Sequence, residues 1–287
     1  MNKFLNFINL IFWPTIITIG VIIAMAVPIE MFSDVNLWEQ FEISKSGAEQ
    51  EFCEFHGYDR LIRQPSNSWS NLIYLFFGCL YFVYAYRDKQ MPVTERHNFV
   101  TRYTSYSIVL GVVMVFLCFA SFLFHASLTE FGRKLDITGV VASASILLSY
   151  SFLRLYGLRN FRKSQLLFLR TYKLHILGFI GALIAFFLSG LHGREVVTGL
   201  ILSVVGLNLY TQWRYKPKVK IWYFIAAIGS ILTSTALWEL DKEILCDPSS
   251  VFQLHAVWHI LTGVTVFLVY WFYRTEMLFR HHIKEEN

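Results

Sequence analysis

Two histidines, His255 and His259, stand four residues apart in the run "HAVWHILTG", so they share one face of any helix that carries them. That spacing lets both imidazoles reach one zinc ion. A second i, i+4 pair, Ser121 and His125 in "ASFLFHASL", shares a face in the same way, and Asp136 follows in "RKLDITG". Three imidazoles with an open fourth position form a catalytic zinc site, whereas structural zinc sites are closed. A carboxylate and a hydroxyl at a matching depth strengthen that pattern. A lone histidine in an apolar helix is more commonly a hydrogen-bonded helix contact. Bis-histidine haem ligation prefers its histidines on two facing helices, not two on one.

The elements that must position these residues are membrane helices. The chain has 287 residues, of which 55% are hydrophobic and 16% charged, against about 25% charged in soluble domains. Its mean hydropathy is +0.47. The apolar residues fall in eight runs, at roughly 5–27, 68–86, 103–126, 135–156, 170–190, 195–212, 219–239 and 252–273. Each is long enough to cross ~30 Å of hydrocarbon as a helix. Alternating strand patterns are absent, so the fold class is an all-α, multi-pass transmembrane bundle. The net charge of +5 comes from short loops and does not indicate a nucleic-acid partner. Arg87, Lys89 and Arg96, then Arg159, Arg162 and Lys163, then Arg214, Lys216, Lys218 and Lys220, and finally Arg274, Arg280 and Lys284 follow every second run. These segments are expected in the cytoplasm, with both termini on that side.

That topology aligns the chemistry. Ser121 and His125 lie near the end of the third run, Asp136 near the start of the fourth, and His255 and His259 in the outer part of the eighth. The five groups thus share one depth, near the non-cytoplasmic face, where polar side chains in lipid mark function by default. Residues 28–66 form an acidic outer segment, which composition alone reads as a solvated loop. His56, His97, His175, His192, His281 and His282 read as surface or interfacial residues. Glu239 and Asp241 in "TALWELDKE" read as an interfacial helix end rather than partners of the histidines. Residues 1–27 are expected to be a retained N-terminal helix, although "VIIAMAVP" carries a site like that of a signal peptidase. Cys79 and Cys118 fall within apolar runs, where a thiol is a small hydrophobe.

The ordered set Ser121, His125, Asp136 and "FQLHAVWHILTG" resembles the alkaline ceramidases, one branch of a superfamily of seven-helix membrane hydrolases. "FCE" at 52–54, "NSWSNLIY" at 67–74 and "LDKEILC" at 240–246 resemble ceramidase segments in the same order. The likeness spans roughly residues 51–275, which implies a core at 67–275, one extra N-terminal helix outside it, and a tail at 276–287. The resemblance implies zinc on His125, His255 and His259, with Ser121 and Asp136 beside it. It also implies a disulfide between Cys53 and Cys246, both on the oxidising side of the expected topology. Calcium-responsive ceramidases bind that ion through the stretch before the second helix. The corresponding residues here are Glu51, Glu54 and Gln64, with His56 at an asparagine position. One carboxylate fewer and one imidazole more weaken the oxygen set that calcium needs, so Ca2+ is the weaker cofactor expectation; Asp59 or Asn67 could compensate. The function this implies is hydrolysis of the N-acyl bond of ceramide, a lipid substrate drawn from the bilayer. The alternatives are a zinc-stabilised seven-helix receptor or scaffold, and a phospholipase-like lipid esterase.

Overall fold

The computed structural model describes residues 3–160, 180, 181, 183, 184, 193–243 and 245–277. Ten helices are named here: α1 (Lys3–Met31), α2 (Lys45–Ala48), α3 (Pro65–Ser70), α4 (Leu72–Gln90), α5 (Phe99–Arg102), α6 (Ser105–Ser127), α7 (Glu130–Asn160), α8 (Gly193–Tyr215), α9 (Trp222–Glu243) and α10 (Leu254–Arg274). No strand occurs among the described residues; a single antiparallel bridge joins Ile43 to Thr129. Seven of these helices or helix pairs, α3 and α4 counting together, are long and apolar enough to cross a membrane. They correspond to seven of the eight expected runs, and the run at 170–190 falls almost wholly outside the described residues.

Close packing follows from small residues at the crossings. A Cβ added at Gly78 of α4 would lie 3.0 Å from the Gly111 carbonyl of α6, and one added at Gly111 would lie 3.0 Å from that of Gly78. A side chain at either position would crowd the backbone of the other helix, and small residues of this kind let membrane helices approach closely. The α4–α6–α7–α10 interior buries Tyr74, Tyr81, Met114, Cys118, Ile146, Leu153, Phe272 and Tyr273. Helices α1, α8 and α9 instead expose Trp13, Ile23, Leu202, Trp213, Ile225 and Leu232, as lipid-facing helices do.

Helix ends bring the site together. Helix α6 stops where Leu128 adopts a left-handed φ of 50° and its N–H bonds the Phe124 carbonyl. Helix α7 restarts at Glu130, so the end of one and the start of the next lie at one level. Helix α3, with Pro65 at its first turn where a missing N–H costs nothing, packs on both α6 and α10. The acidic segment is not a solvated loop throughout. Phe52, Cys53, Glu54, His56, Ile62, Arg63 and Gln64 are buried. The segment is laid over the α6–α7 turn by Ser44 N–H to Leu128 O (2.9 Å), Glu130 N–H to Glu42 O (2.9 Å) and Arg63 N–H to Ala126 O (3.0 Å). Apolar side chains placed singly among the acids drive this packing, and overall composition hides them.

Candidate metal centre

Helix α6 delivers His125 from its last turn, and α10 delivers His255 and His259 from its first two. The three are 1%, 4% and 1% exposed, and one ring nitrogen from each lies within 4.8 Å of the others. Among the described residues this is the group of histidine, cysteine or acidic donors that converges as a metal site would. His125 Nε2 and His255 Nε2 are 3.3 Å apart. Two ligands at ~2.0–2.1 Å from a tetrahedral zinc are separated by about 3.3–3.4 Å, so these two nitrogens already form one edge of that tetrahedron. His259 Nε2 is buried without a hydrogen-bond partner, a costly arrangement unless something else takes its lone pair. The donor set therefore fits zinc.

Rings hold the imidazoles in place. Phe52 lies 5.0 Å from the His125 ring and 4.5 Å from that of His255. Trp258 stacks on His255 at 5.3 Å with 9° between planes. The backs of two of these imidazoles are hydrogen-bonded. Gln64 Oε1 is 2.7 Å from His125 Nδ1, and Ser70 Oγ is 2.7 Å from His259 Nδ1.

Ser121 lies one turn before His125, 1% exposed, and hydrogen-bonds the Asp136 carboxylate across the α6–α7 contact. Asp136 lies within electrostatic reach of Tyr74, whose ring sits edge-on to His259 at 6.1 Å. Tyr74 hydroxyl and Thr262 Oγ1 are 2.6 Å apart. The five residues expected to share one depth are thus gathered at one end of the bundle. Sequence reasoning missed Tyr74, Ser70 and the contact of Gln64 with His125. A clue to all three is the density of polar residues at the start of an apolar run, in "QPSNSWSNLIY".

Cys53 and Cys246 form a disulfide, with Cα atoms 5.3 Å apart. Two readings are corrected beside it. Asp241 does not mark an interfacial helix end: it is 1% exposed, accepting Cys53 N–H at 3.2 Å and Leu254 N–H at 3.1 Å. It therefore joins the disulfide to the first turn of α10, one residue before His255. His56, expected among the surface or interfacial residues, is 8% exposed, with Nδ1 3.2 Å from the Tyr58 hydroxyl. Burial pushes its basicity below that of an ordinary imidazole, and Arg63 adds to the effect. His175, His192, His281 and His282 lie outside the described residues.

The oxygens expected for calcium have other partners. Glu54 accepts Ser66 N–H at 2.6 Å and Asn67 N–H at 2.8 Å, so its charge sits at the positive end of α3. Burial pushes its carboxyl above the ordinary range against those two bonds. Gln64 faces His125, and Glu51 lies within electrostatic reach of Arg133.

Two comparisons bear on this geometry. No curated protein matches the sequence. The family model described as ceramidase matches residues 44–287, a span that holds every residue of the site and leaves α1 outside. A metal-ready trio of buried histidines and a sequence-wide family match point the same way: the chain belongs to the ceramidase family.

Proposed function

We propose that this chain is a zinc-dependent membrane amidase that hydrolyses the N-acyl bond of ceramide, giving a sphingoid base and a free fatty acid. The observation that carries the reading is the trio His125, His255 and His259, converged and buried beside the Ser121–Asp136 pair in a chain of the ceramidase family. When bound by these three imidazoles, zinc polarises a substrate carbonyl and makes water a nucleophile near neutral pH. Asp136 takes a proton from the attacking water and returns it to the departing amine nitrogen, one group serving as base and then acid. Ser121 aims that carboxylate through its hydrogen bond, and its hydroxyl can turn to the oxyanion as the carbonyl becomes tetrahedral. The aromatic wall of Phe52 and Trp258 keeps bulk water from the imidazoles.

Topologically, the reading puts the site near the non-cytoplasmic face with both termini in the cytoplasm. The ends of α4, α7, α8 and α10 away from the histidines carry Arg87 and Lys89, Arg159, Arg214 and Arg274, consistent with basic residues staying inside. A two-chain lipid then reaches the site laterally, from the outer half of the bilayer.

The test is fatty-acid release from ceramide in detergent or vesicles by the wild type and Asp136→Asn. The reading expects Asp136→Asn to keep its zinc and lose ~10²–10⁴-fold in rate, the contribution of a positioned acid–base group. Zinc in the wild type with neither amide nor ester lipid cleaved would shift the reading to a metal-stabilised scaffold. Cleavage of ester lipids alone would make the chain an esterase.

A further inference from the structure

The short helix α3 touches two of the three ligands, one from each end. Gln64 precedes its first residue and Ser70 is its last, and they reach imidazoles on two different long helices. A neutral imidazole has one donor nitrogen and one acceptor nitrogen. Which nitrogen offers a lone pair to a metal depends on what the other one meets.

At His259 the answer follows from the direction of one proton. Ser70 Oγ lies 2.9 Å from the Asn67 carbonyl oxygen, which can only accept. The hydroxyl proton is committed there, so Ser70 turns a lone pair toward His259 Nδ1, 2.7 Å away. Nδ1 must carry the hydrogen. The lone pair is left on Nε2, the atom that is buried without a hydrogen-bond partner.

At His125 the answer follows from the orientation of one amide. Gln64 Nε2 points at the Glu54 carbonyl oxygen (3.4 Å), and Asn67 Nδ2 points at Gln64 Oε1 (3.5 Å). A flipped amide would set oxygen against carbonyl oxygen and N–H against N–H. These neighbours keep Oε1 toward His125 Nδ1 at 2.7 Å. Gln64 also donates its backbone N–H to the His125 carbonyl at 3.2 Å. His125 Nδ1 is again the protonated nitrogen, and its Nε2 faces the centre. Asn67 supports both arrangements, through its carbonyl for Ser70 and its side-chain amide for Gln64.

We propose that Gln64 and Ser70 are positioning residues of the metal centre, fixing the tautomers of His125 and His259 so that both Nε2 lone pairs converge on one ion. This rests on the reading of the three histidines as a metal site, and it gives Gln64 a role directed at zinc. A partner that orients a ligating histidine from behind is worth ~10–100-fold in metal affinity.

The test measures metal binding, independently of catalysis. Full-length protein in detergent is stripped with a chelator, and zinc affinity is read by competition with a chelating dye. The visible spectrum of the cobalt-loaded protein reports the coordination geometry. The variants are Ser70→Ala, Ser70→Thr and Gln64→Leu, each with its metal-free helical content checked by circular dichroism. The proposal expects Ser70→Ala and Gln64→Leu to bind zinc ~10–100-fold more weakly with altered cobalt bands and unchanged metal-free helicity. Ser70→Thr, which keeps the hydroxyl, retains wild-type affinity and spectrum. Wild-type affinity and spectrum in both Ser70→Ala and Gln64→Leu overturn the proposal, whether or not the wild type cleaves ceramide. A wild type that binds zinc and cleaves no lipid removes the enzymatic reading alone, and the affinities of the variants still decide the tautomer argument. A wild type that binds no zinc overturns both.

Discussion

An imidazole in an apolar interior is tolerated when both nitrogens have partners, and His125 and His259 show how the chain arranges this: a hydrogen bond behind each ring and a converged centre in front. Replacing His259 by alanine leaves two ligands, so His259→Ala is expected to retain no stoichiometric zinc by metal analysis while its helical circular dichroism persists. The partners of Glu54 and Gln64 lead to a second expectation. A calcium-selective chelator leaves fatty-acid release unchanged, and calcium-stimulated activity would show that these oxygens rearrange around the ion. His56 carries the pH prediction. Its folded-state basicity lies below the ordinary value of 6.5 because of burial, so protons bind the unfolded chain first. The stability it confers is intact above pH 6.5 and is lost as pH falls from there through its lowered folded value. Melting of the metal-free protein is expected to show that acid limb, and His56→Gln, which keeps a donor for Tyr58, is expected to flatten it. At this scale the histidine trio was legible in the sequence because i, i+4 spacing is itself a geometry. Gln64 was legible only as an oxygen-bearing side chain. Nothing in its type says that its oxygen meets His125 from a turn 61 residues away.

Between the elements, Asp241 stands out. One carboxylate accepts the first N–H of α10 and the N–H of Cys53, so the end of α9, the disulfide and the helix bearing His255 and His259 share a single joint. Sequence could not show this, because an aspartate at the end of an apolar run looks the same whether it meets water or two backbone amides. Asp241→Ala leaves both N–H groups without their acceptor, at ~1–3 kcal/mol for the buried Cys53 donor and about 1 kcal/mol for the half-buried Leu254 donor, and is expected to cost about 2–4 kcal/mol of stability by denaturant or thermal melting. A change within error would mean that water replaces the carboxylate. Helix α3 was equally hidden. Pro65 marks its start, but only the fold shows that six residues bridge α6 and α10.

Across the whole molecule the polar groups separate to two ends. The histidines occupy one. At the other, Arg154 of α7 pairs with Glu276 at 2.6 Å, with side chains 1% and 0% exposed. Asn208 of α8 bonds the same guanidinium at 3.0 Å and the Tyr273 hydroxyl at 3.0 Å. Nearby, Arg274 is bound by both oxygens of Asp88 at the end of α4. Helices α4, α7, α8 and α10 are therefore tied at the end remote from the histidine trio. Removing one partner of a buried pair costs ~3–5 kcal/mol, whereas apolar replacement of both can be neutral. Glu276→Ala is expected to melt markedly earlier, and Arg154→Met with Glu276→Leu to recover most of the loss, while the folded fraction of each keeps wild-type zinc affinity. The all-helical class was legible because lipid permits few structures, and the gathering of the five side chains at one end because successive runs must alternate in direction. The two-ended anchoring was not, since Arg154 and Glu276 lie 122 residues apart and each reads as an ordinary charge near a helix end. The central claim is zinc-dependent hydrolysis of a lipid amide. Its most direct measurement is fatty-acid release from ceramide vesicles by protein as purified, after chelation, and after zinc is returned at one equivalent per chain. The account predicts activity, its loss, and its recovery at that equivalence. Undiminished release from the metal-free protein, or none from the zinc-loaded one, would contradict it.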